Sequence, residues 1–225
     1  MTQGQGLNQI QQQVIPGVRG KRCNNLPPTE VEWKYITLTD THPQLGTLTF
    51  DFPSQMVASP LTKVPPLDPT IRGREPHGNI PWWEQCFSKR RREHDEHFWV
   101  RGHLLNDNTW GPGDSRNLIP ISHVLNTIME AMVEKKVKDL VDDGKILEYV
   151  VTVNWTVTPE QRRKDYGLLA DQTGSLIWGE QFAPTSLSWE LYELKIENGS
   201  IRKQQIPHSP DWYPDPSQSV NHFPQ

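Results

Sequence analysis

Cysteine is scarce, long apolar runs are missing, and positive charge is not in surplus. The two cysteines, Cys23 and Cys86, fall in no CxxC or His-linked spacing. That gives no zinc finger and no disulfide framework; the two could pair, but two ordinary thiols are the expectation. No apolar stretch approaches the 18 residues a membrane-crossing helix needs, so no membrane insertion is expected. The first 22 residues, MTQGQGLNQIQQQVIPGVRGKR, contain no apolar core of a secretion signal. Cytoplasmic synthesis without a classical signal peptide is the expectation, with export or loading by another route left open. A net charge of −4 argues against a nonspecific nucleic-acid coat protein.

Proline and tryptophan are abundant, at 20 and 9 of 225 residues. The prolines cluster at 53–81 and 207–225, which read as extended segments. Residues 1–30 are rich in Gln, Gly and Asn and read as a flexible lead; residues 31–225 read as one domain. "VEWKYITLTD" and "GTLTFDF" alternate large and polar side chains and predict two strands. The run 53–85 reads as a Pro-punctuated connection with a short turn at Trp82–Phe87. "HFWVRGHLL" predicts a strand ending near His103, followed by a Gly- and Pro-broken loop. "RNLIPIS" predicts a short strand, with Ser122 as the cap of a helix. That helix should run from about His123 to Asp142 and stop at Gly144. Its apolar face would be Val124, Leu125, Ile128, Met129, Met132, Val137 and Leu140. "KILEYVVTVNWTV" predicts a buried strand. "LSWELYELKIENGSIRKQQI" predicts a hairpin turning at Asn198–Gly199. The pattern is α+β with an antiparallel sheet. Trp33, Trp99, Trp155 and Trp189 lie in strand-like runs and should pack the core, whereas Trp110 sits in the loop and could stack on a base.

A charged group and a titratable ring close the strand at 99–103. The helix carries Asn126, Glu130, Glu134 and Lys138 at intervals of four, so they neighbour one another with slow drift about the axis. On an ideal wheel Asn126 lies at the border of the apolar face and Glu134 further toward solvent. Taken alone, that ladder is an ordinary amphipathic helix with a Glu134–Lys138 pair. "SKRRR" at 88–92 adds a basic strip, Arg90, Arg91 and Arg92 among it, suited to a phosphate-rich partner or to a solvated turn balanced by Glu93, Asp95 and Glu96. His94, His97 and His103 with Asp95 and Glu96 offer a zinc reading, although a three-residue spacing is awkward on a strand.

"RGH" at 101–103 followed by "RNLIPISHVLNTIMEAMVE" at 116–134 resembles the DNA/RNA non-specific endonucleases of the ββα-metal class. The shared parts are Arg101, Gly102, His103, Asn117, Pro120, Leu125, Asn126, and Glu134 eight residues after that Asn. The likeness covers residues 97–140. Val100 stands where the family usually has an acid, and the 23-residue interval from His103 to Asn126 is short for it. A weaker resemblance runs to nuclease-like domains of toxins and of effectors loaded into contractile injection systems.

The resemblance implies a ββα-metal core and a sugar-nonspecific nuclease acting on DNA and/or RNA. His103 would be general base, since an imidazole titrates near neutrality. Asn126 would ligate Mg²⁺, with Mn²⁺ as a substitute, because a hard ion that keeps its waters can use a single protein oxygen. Glu134, and behind it Glu130, would hold the ion's waters. Arg101 would grip the phosphate, with Arg116 and Lys138 in support. An enzyme of this kind calls for an immunity or packaging partner. The competing class is a catalytically inactive nucleic-acid-binding or cargo protein on a nuclease scaffold.

Overall fold

The computed structural model describes residues 26–42, 45–88, 99–155, 182–197 and 200–207. Five strands form an antiparallel sheet: β1 (Val31–His42), β2 (Gly46–Leu61), β5 (Leu147–Asn154), β6 (Ser186–Glu197) and β7 (Ser200–Gln205), in the order β1-β2-β5-β6-β7. Apart from it, β3 (Trp99–His103) and β4 (Leu118–Ser122) pair antiparallel as a two-stranded ribbon. A helix follows β4 at once. The arrangement is α+β and mostly antiparallel. Among the described residues no helix is long and apolar enough to cross a membrane.

Alternation places the core. Along β5, Leu147, Tyr149, Val151 and Val153 are buried while the residues between them are partly exposed, as for a strand with one face covered. Leu187, Trp189, Leu191 and Leu194 of β6 are buried too. The sheet's inward side chains join Ile119 and Ile121 of β4 and the apolar side of the helix in one contiguous core. An aromatic chain ties the sheet to the ribbon. Trp155 meets Phe52 at 4.8 Å between ring centroids, Phe52 meets Trp82 at 5.5 Å, Trp82 meets Phe87 at 6.0 Å and Phe87 meets Trp99 at 5.4 Å. Such pairs contribute about 0.5–1.5 kcal/mol each beyond the area they bury, and here they anchor the first residue of β3.

Three features differ from the sequence expectation. First, β2 does not stop at Phe52 but continues to Leu61, and its second half pairs with β5 from Gln55↔Thr152 to Leu61↔Leu147. Proline is tolerated in a strand where the ladder is already broken. Pro53 lies opposite Tyr35 at a register shift between Lys34 and Tyr35, and Pro60 falls in the shift between Ala58 and Leu61. Second, the boundary at residue 30 falls inside a docked segment: Thr29 is 1% exposed, and its hydroxyl donates to the Thr62 carbonyl at 3.0 Å. Residues 1–25 of the expected lead lie outside the described residues, as does the Asn198–Gly199 turn, although β6 and β7 pair right up to Glu197↔Ser200.

Third, the helix is not uniform. α1 (His123–Met129) runs into a π turn (Glu130–Glu134) and then α2 (Lys135–Asp142), with helical dihedrals at both junctions. Ser122 caps it as expected, its hydroxyl accepting from the Leu125 N–H at 3.2 Å. The π turn closes i→i+5 and holds about one residue more than an α turn. The buried face therefore advances by fours: Leu125, Met129, Val133, Val137 and Val141. Met132 is exposed instead of buried, and Val133 takes its place.

Candidate active site

Gly102 decides how closely the helix approaches the ribbon. A Cβ there would sit 2.1 Å from Ile121 Cδ1 and 3.3 Å from the side-chain oxygen of Asn126. With glycine here, the Ile121 side chain and the Asn126 carboxamide both lie close against this strand. Among the described residues that carboxamide has no hydrogen-bond partner, and Asn126 is half-buried. A half-buried amide oxygen with no partner, held against a glycine, suits a hard divalent ion that brings its own waters. The residues present fit Mg²⁺ or Mn²⁺. No group of three His, Cys, Asp or Glu side chains is poised for a metal among the described residues. His94 and His97 of the zinc reading lie outside them.

Successive residues of a strand face opposite sides. Gly102 faces the helix, so Arg101 and His103 leave β3 on the other side. No hydrogen bond joins His103 to Asn126; the two flank one strand end. Arg101 lies over the Trp83 ring, its guanidinium carbon 5.5 Å from the centroid. His103 Nε2 lies 3.0 Å from the carbonyl oxygen of Arg74. A carbonyl can only accept, so Nε2 carries the proton and Nδ1 keeps the lone pair. Burial lowers the pKa of this imidazole, against the opposing pull of the Arg74 carbonyl, Asp107 and Glu75. The ring is therefore neutral at pH 7, as a general base must be.

The strap carrying Arg74 is held by close backbone approach. The Arg74 N–H donates to the Gly111 carbonyl at 3.2 Å, and the His77 N–H to the Gly113 carbonyl at 2.8 Å. A Cβ at Gly73 would fall 1.7 Å from the Asp107 carbonyl oxygen, so the strap can lie there only with glycine. Arg72 and Arg74 are exposed, and neither guanidinium has a partner among the described residues. The sequence reading missed this segment, which meets the imidazole through the Arg74 backbone carbonyl. Nothing in a Pro-flanked RGR run 29 residues before His103 announces that proximity.

Asn117 organises the loop between. It is fully buried, and its amide accepts from the Leu105 N–H at 2.9 Å while donating to the Leu105 carbonyl at 2.8 Å and the Pro112 carbonyl at 3.1 Å. Trp110 is packed here rather than presented for stacking: its indole N–H donates to the Thr62 carbonyl at 3.0 Å. Arg116 is also committed. Its fork pairs with Asp114 at 3.0 and 2.8 Å, and its remaining donors reach Thr70 Oγ1 and the Thr70 carbonyl, both at 3.1 Å. That geometry makes Arg116 a clamp between segments and leaves it no free donor pair for a phosphate.

Glu134 is the third member. Two α turns hold about seven residues, so eight residues on an α-helix overshoot. With one of the turns π, the eight residues from Asn126 to Glu134 make about two full turns, and Glu134 is half-buried rather than on the solvent side. It makes no pair with Lys138; its Oε2 accepts from Asn106 Nδ2 at 2.5 Å. Glu130, Lys138, Asn106, Asn108 and Thr127 line a cavity of about 380 Å³ with it. Burial pushes the Glu134 carboxyl up to about 7; Glu130 and Asp107 push the same way and the Asn106 bond opposes them. Asp107 thus acts on both His103 and Glu134. Arg90, Arg91 and Arg92 lie outside the described residues.

The raised pKa has a consequence for stability. The folded state holds the Glu134 proton more tightly than the unfolded chain, whose carboxyl titrates near 4.5. That stabilisation is complete below about pH 4.5 and is lost as pH rises through about 7. Glu134→Gln keeps an acceptor for Asn106 and cannot ionise. In EDTA it should be more stable than the parent by about 2 kcal/mol near pH 8, and within about 0.5 kcal/mol of it near pH 4. Urea unfolding at the two pH values checks this; equal differences at both would refute the buried ionisation.

No family model matches the chain, and no curated protein does. Among solved structures, NucA from Streptococcus agalactiae is similar in two crystal forms. The form with no metal bound is 15% identical, covers 79% of this chain and 72% of its own, and has a TM-score of 0.34. The form with magnesium bound is 15% identical, covers 79% and 74%, and has a TM-score of 0.35. Scores this low leave fold and function to rest on the residues themselves.

Proposed function

We propose that the chain is a divalent-metal-dependent endonuclease that hydrolyses DNA or RNA backbones with little regard to base. The observation that carries this reading is the imidazole of His103. Its Nε2 is occupied by a backbone carbonyl, its Nδ1 and the carboxamide beside the neighbouring glycine have no hydrogen-bond partner among the described residues, and that glycine is the adjacent residue of the strand. A backbone phosphate laid across the end of β3 meets His103 on one side and Asn126 on the other.

His103 Nδ1 takes a proton from water as the water oxygen attacks phosphorus in line. The new P–O bond forms while the bond to the 3′ oxygen breaks. That oxygen leaves with a proton drawn from solvent, giving a 5′ phosphate and a 3′ hydroxyl. Arg101, Arg74 and Arg72 offer guanidinium groups to the non-bridging oxygens, and Lys138 offers an ammonium at the cavity rim. Mg²⁺ bound at Asn126, with Glu134 and Glu130 toward its waters, would supply charge compensation at the phosphate and the departing oxygen. We read the protein as a toxin or delivered effector whose producer keeps an inhibitor or packaging partner.

Val100, half-buried where the family places an acid, favours a second reading, a binder without catalysis. Purified protein incubated with supercoiled plasmid and Mg²⁺ separates the two. Nicking that EDTA stops supports the nuclease; metal-independent gel retardation with intact plasmid overturns it in favour of the binder.

A further inference from the structure

We infer that Asn106 is a positioning residue for Glu134, joining the loop that leaves His103 to the helix that carries the carboxylate. The inference rests on the nuclease reading but can be tested apart from it. Asn106 is not among the motif residues given a role by the resemblance, and its place is legible only in three dimensions.

Each end of its amide has a distinct task. Oδ1 accepts from the Asn108 N–H at 2.9 Å and from Asn108 Nδ2 at 3.1 Å, which turns Nδ2 toward the helix. Nδ2 then donates to Glu134 Oε2 at 2.5 Å, a charge-assisted bond across 28 residues of sequence. The backbone of Asn106 is equally fixed. Its carbonyl accepts from the N–H groups of Thr109 and Gly111 at 3.0 and 2.9 Å and from the Thr109 hydroxyl at 3.0 Å. Between His103 and Asn106 lie Leu104 and Leu105, 1% and 0% exposed, and both are hydrogen-bonded to Asn117. No slack remains between the imidazole and the amide. The 2.5 Å bond therefore sets where the carboxylate stands relative to the imidazole, and among the described residues it leaves Oε1 without a hydrogen-bond partner. Glu130 and Asp107 both repel the Glu134 carboxylate. Without the Asn106 donor it would swing out into the cavity. Groups that hold the surroundings of a metal ion in this way are worth about 10- to 100-fold in affinity or activity.

Two variants test it. Asn106→Ala removes both ends of the amide. Asn106→Ser keeps a short acceptor for the turn at Asp107–Thr109 but cannot reach Glu134, so it serves should the alanine variant fail to fold. Mn²⁺ affinity, read by electron paramagnetic resonance on the full chain and scaled to the folded fraction, should fall about 10- to 100-fold in the folded variant. On plasmid, kcat should fall by a similar factor while KM changes less than about twofold, since the phosphate-facing cations are untouched. Glu134→Ala should cost as much, and combining it with Asn106→Ser should cost no more. A folded Asn106→Ser protein with parental Mn²⁺ affinity overturns the inference, and so does full additivity with Glu134→Ala. If the parent cleaves nothing but the Mn²⁺ pattern holds, the nuclease reading fails and the positioning role stands.

Discussion

His103→Ala should abolish plasmid nicking to within about 10²- to 10⁴-fold below the parent, the span a positioned general base contributes. Its melting temperature should stay close to the parent's, because among the described residues the hydrogen bond lost is the one to the Arg74 carbonyl. That carbonyl belongs to an exposed residue and can turn to water. The pH profile gives an independent check. Burial lowers the pKa of His103, so its neutral form prevails across the neutral range. The acid limb it governs should lie below the ordinary histidine value of about 6.5, with activity rising as pH climbs through that limb. His103→Gln, which can still meet the Arg74 carbonyl, should be as inactive as the alanine variant. Full activity in either variant would remove His103 from the role of base and overturn the proposed mechanism.

How much of this could be read from the chain depends on the range of the forces involved. Strands β1, β3, β4, β5 and the β6–β7 pair follow from alternation, and the helix start follows from Ser122, because those signals act over a few residues. The second half of β2 was hidden by Pro53 and Pro60. A proline speaks against a strand unless the partner strand has a bulge opposite it, and that partner lies elsewhere in the sequence. The π turn was hidden for a related reason. Glu130–Glu134 has ordinary helix-forming residues, so only the folded backbone and the burial of Val133 and Val137 in the core show that the helix is underwound there. This one turn moved Met132 out of the core. It also left Glu134 half-buried instead of on the solvent side.

The candidate site was legible in its chemistry and illegible in its supports. Residue type and order mark His103, Asn126 and Glu134, because a base, an oxygen ligand and a carboxylate must each be particular side chains. The Arg74 carbonyl is backbone and carries no sequence mark. Asn106 looks like one more polar loop residue until Glu134 is seen within 2.5 Å of it. Arg116 shows the converse: a cation at a motif position reads as a phosphate contact, yet Asp114 and Thr70 take up four of its five N–H donors.

Asn126→Ala should cost as much as loss of the base, by a different route. The substitution removes the one side-chain oxygen set against Gly102 and leaves a small gap at a half-buried position. Stability should therefore change by less than about 1.5 kcal/mol, since no hydrogen bond to the described residues is lost. Divalent-ion affinity should collapse. Charge compensation at a phosphoryl group is worth several kcal/mol, and each 1.36 kcal/mol is tenfold in rate, so cleavage at a fixed Mg²⁺ concentration should fall about 10²- to 10³-fold. Titration with Mn²⁺ by electron paramagnetic resonance separates this from a folding effect. Asn126→Asp supplies the discriminating comparison, because it keeps the oxygen, adds a charge and should bind Mn²⁺ at least as tightly as the parent. His103→Ala should leave Mn²⁺ affinity unchanged, since the imidazole leaves β3 on the side away from the carboxamide. Were Asn126→Ala to bind Mn²⁺ like the parent, the oxygen against Gly102 would be a packing feature, and the ion's place would have to be sought elsewhere on the chain.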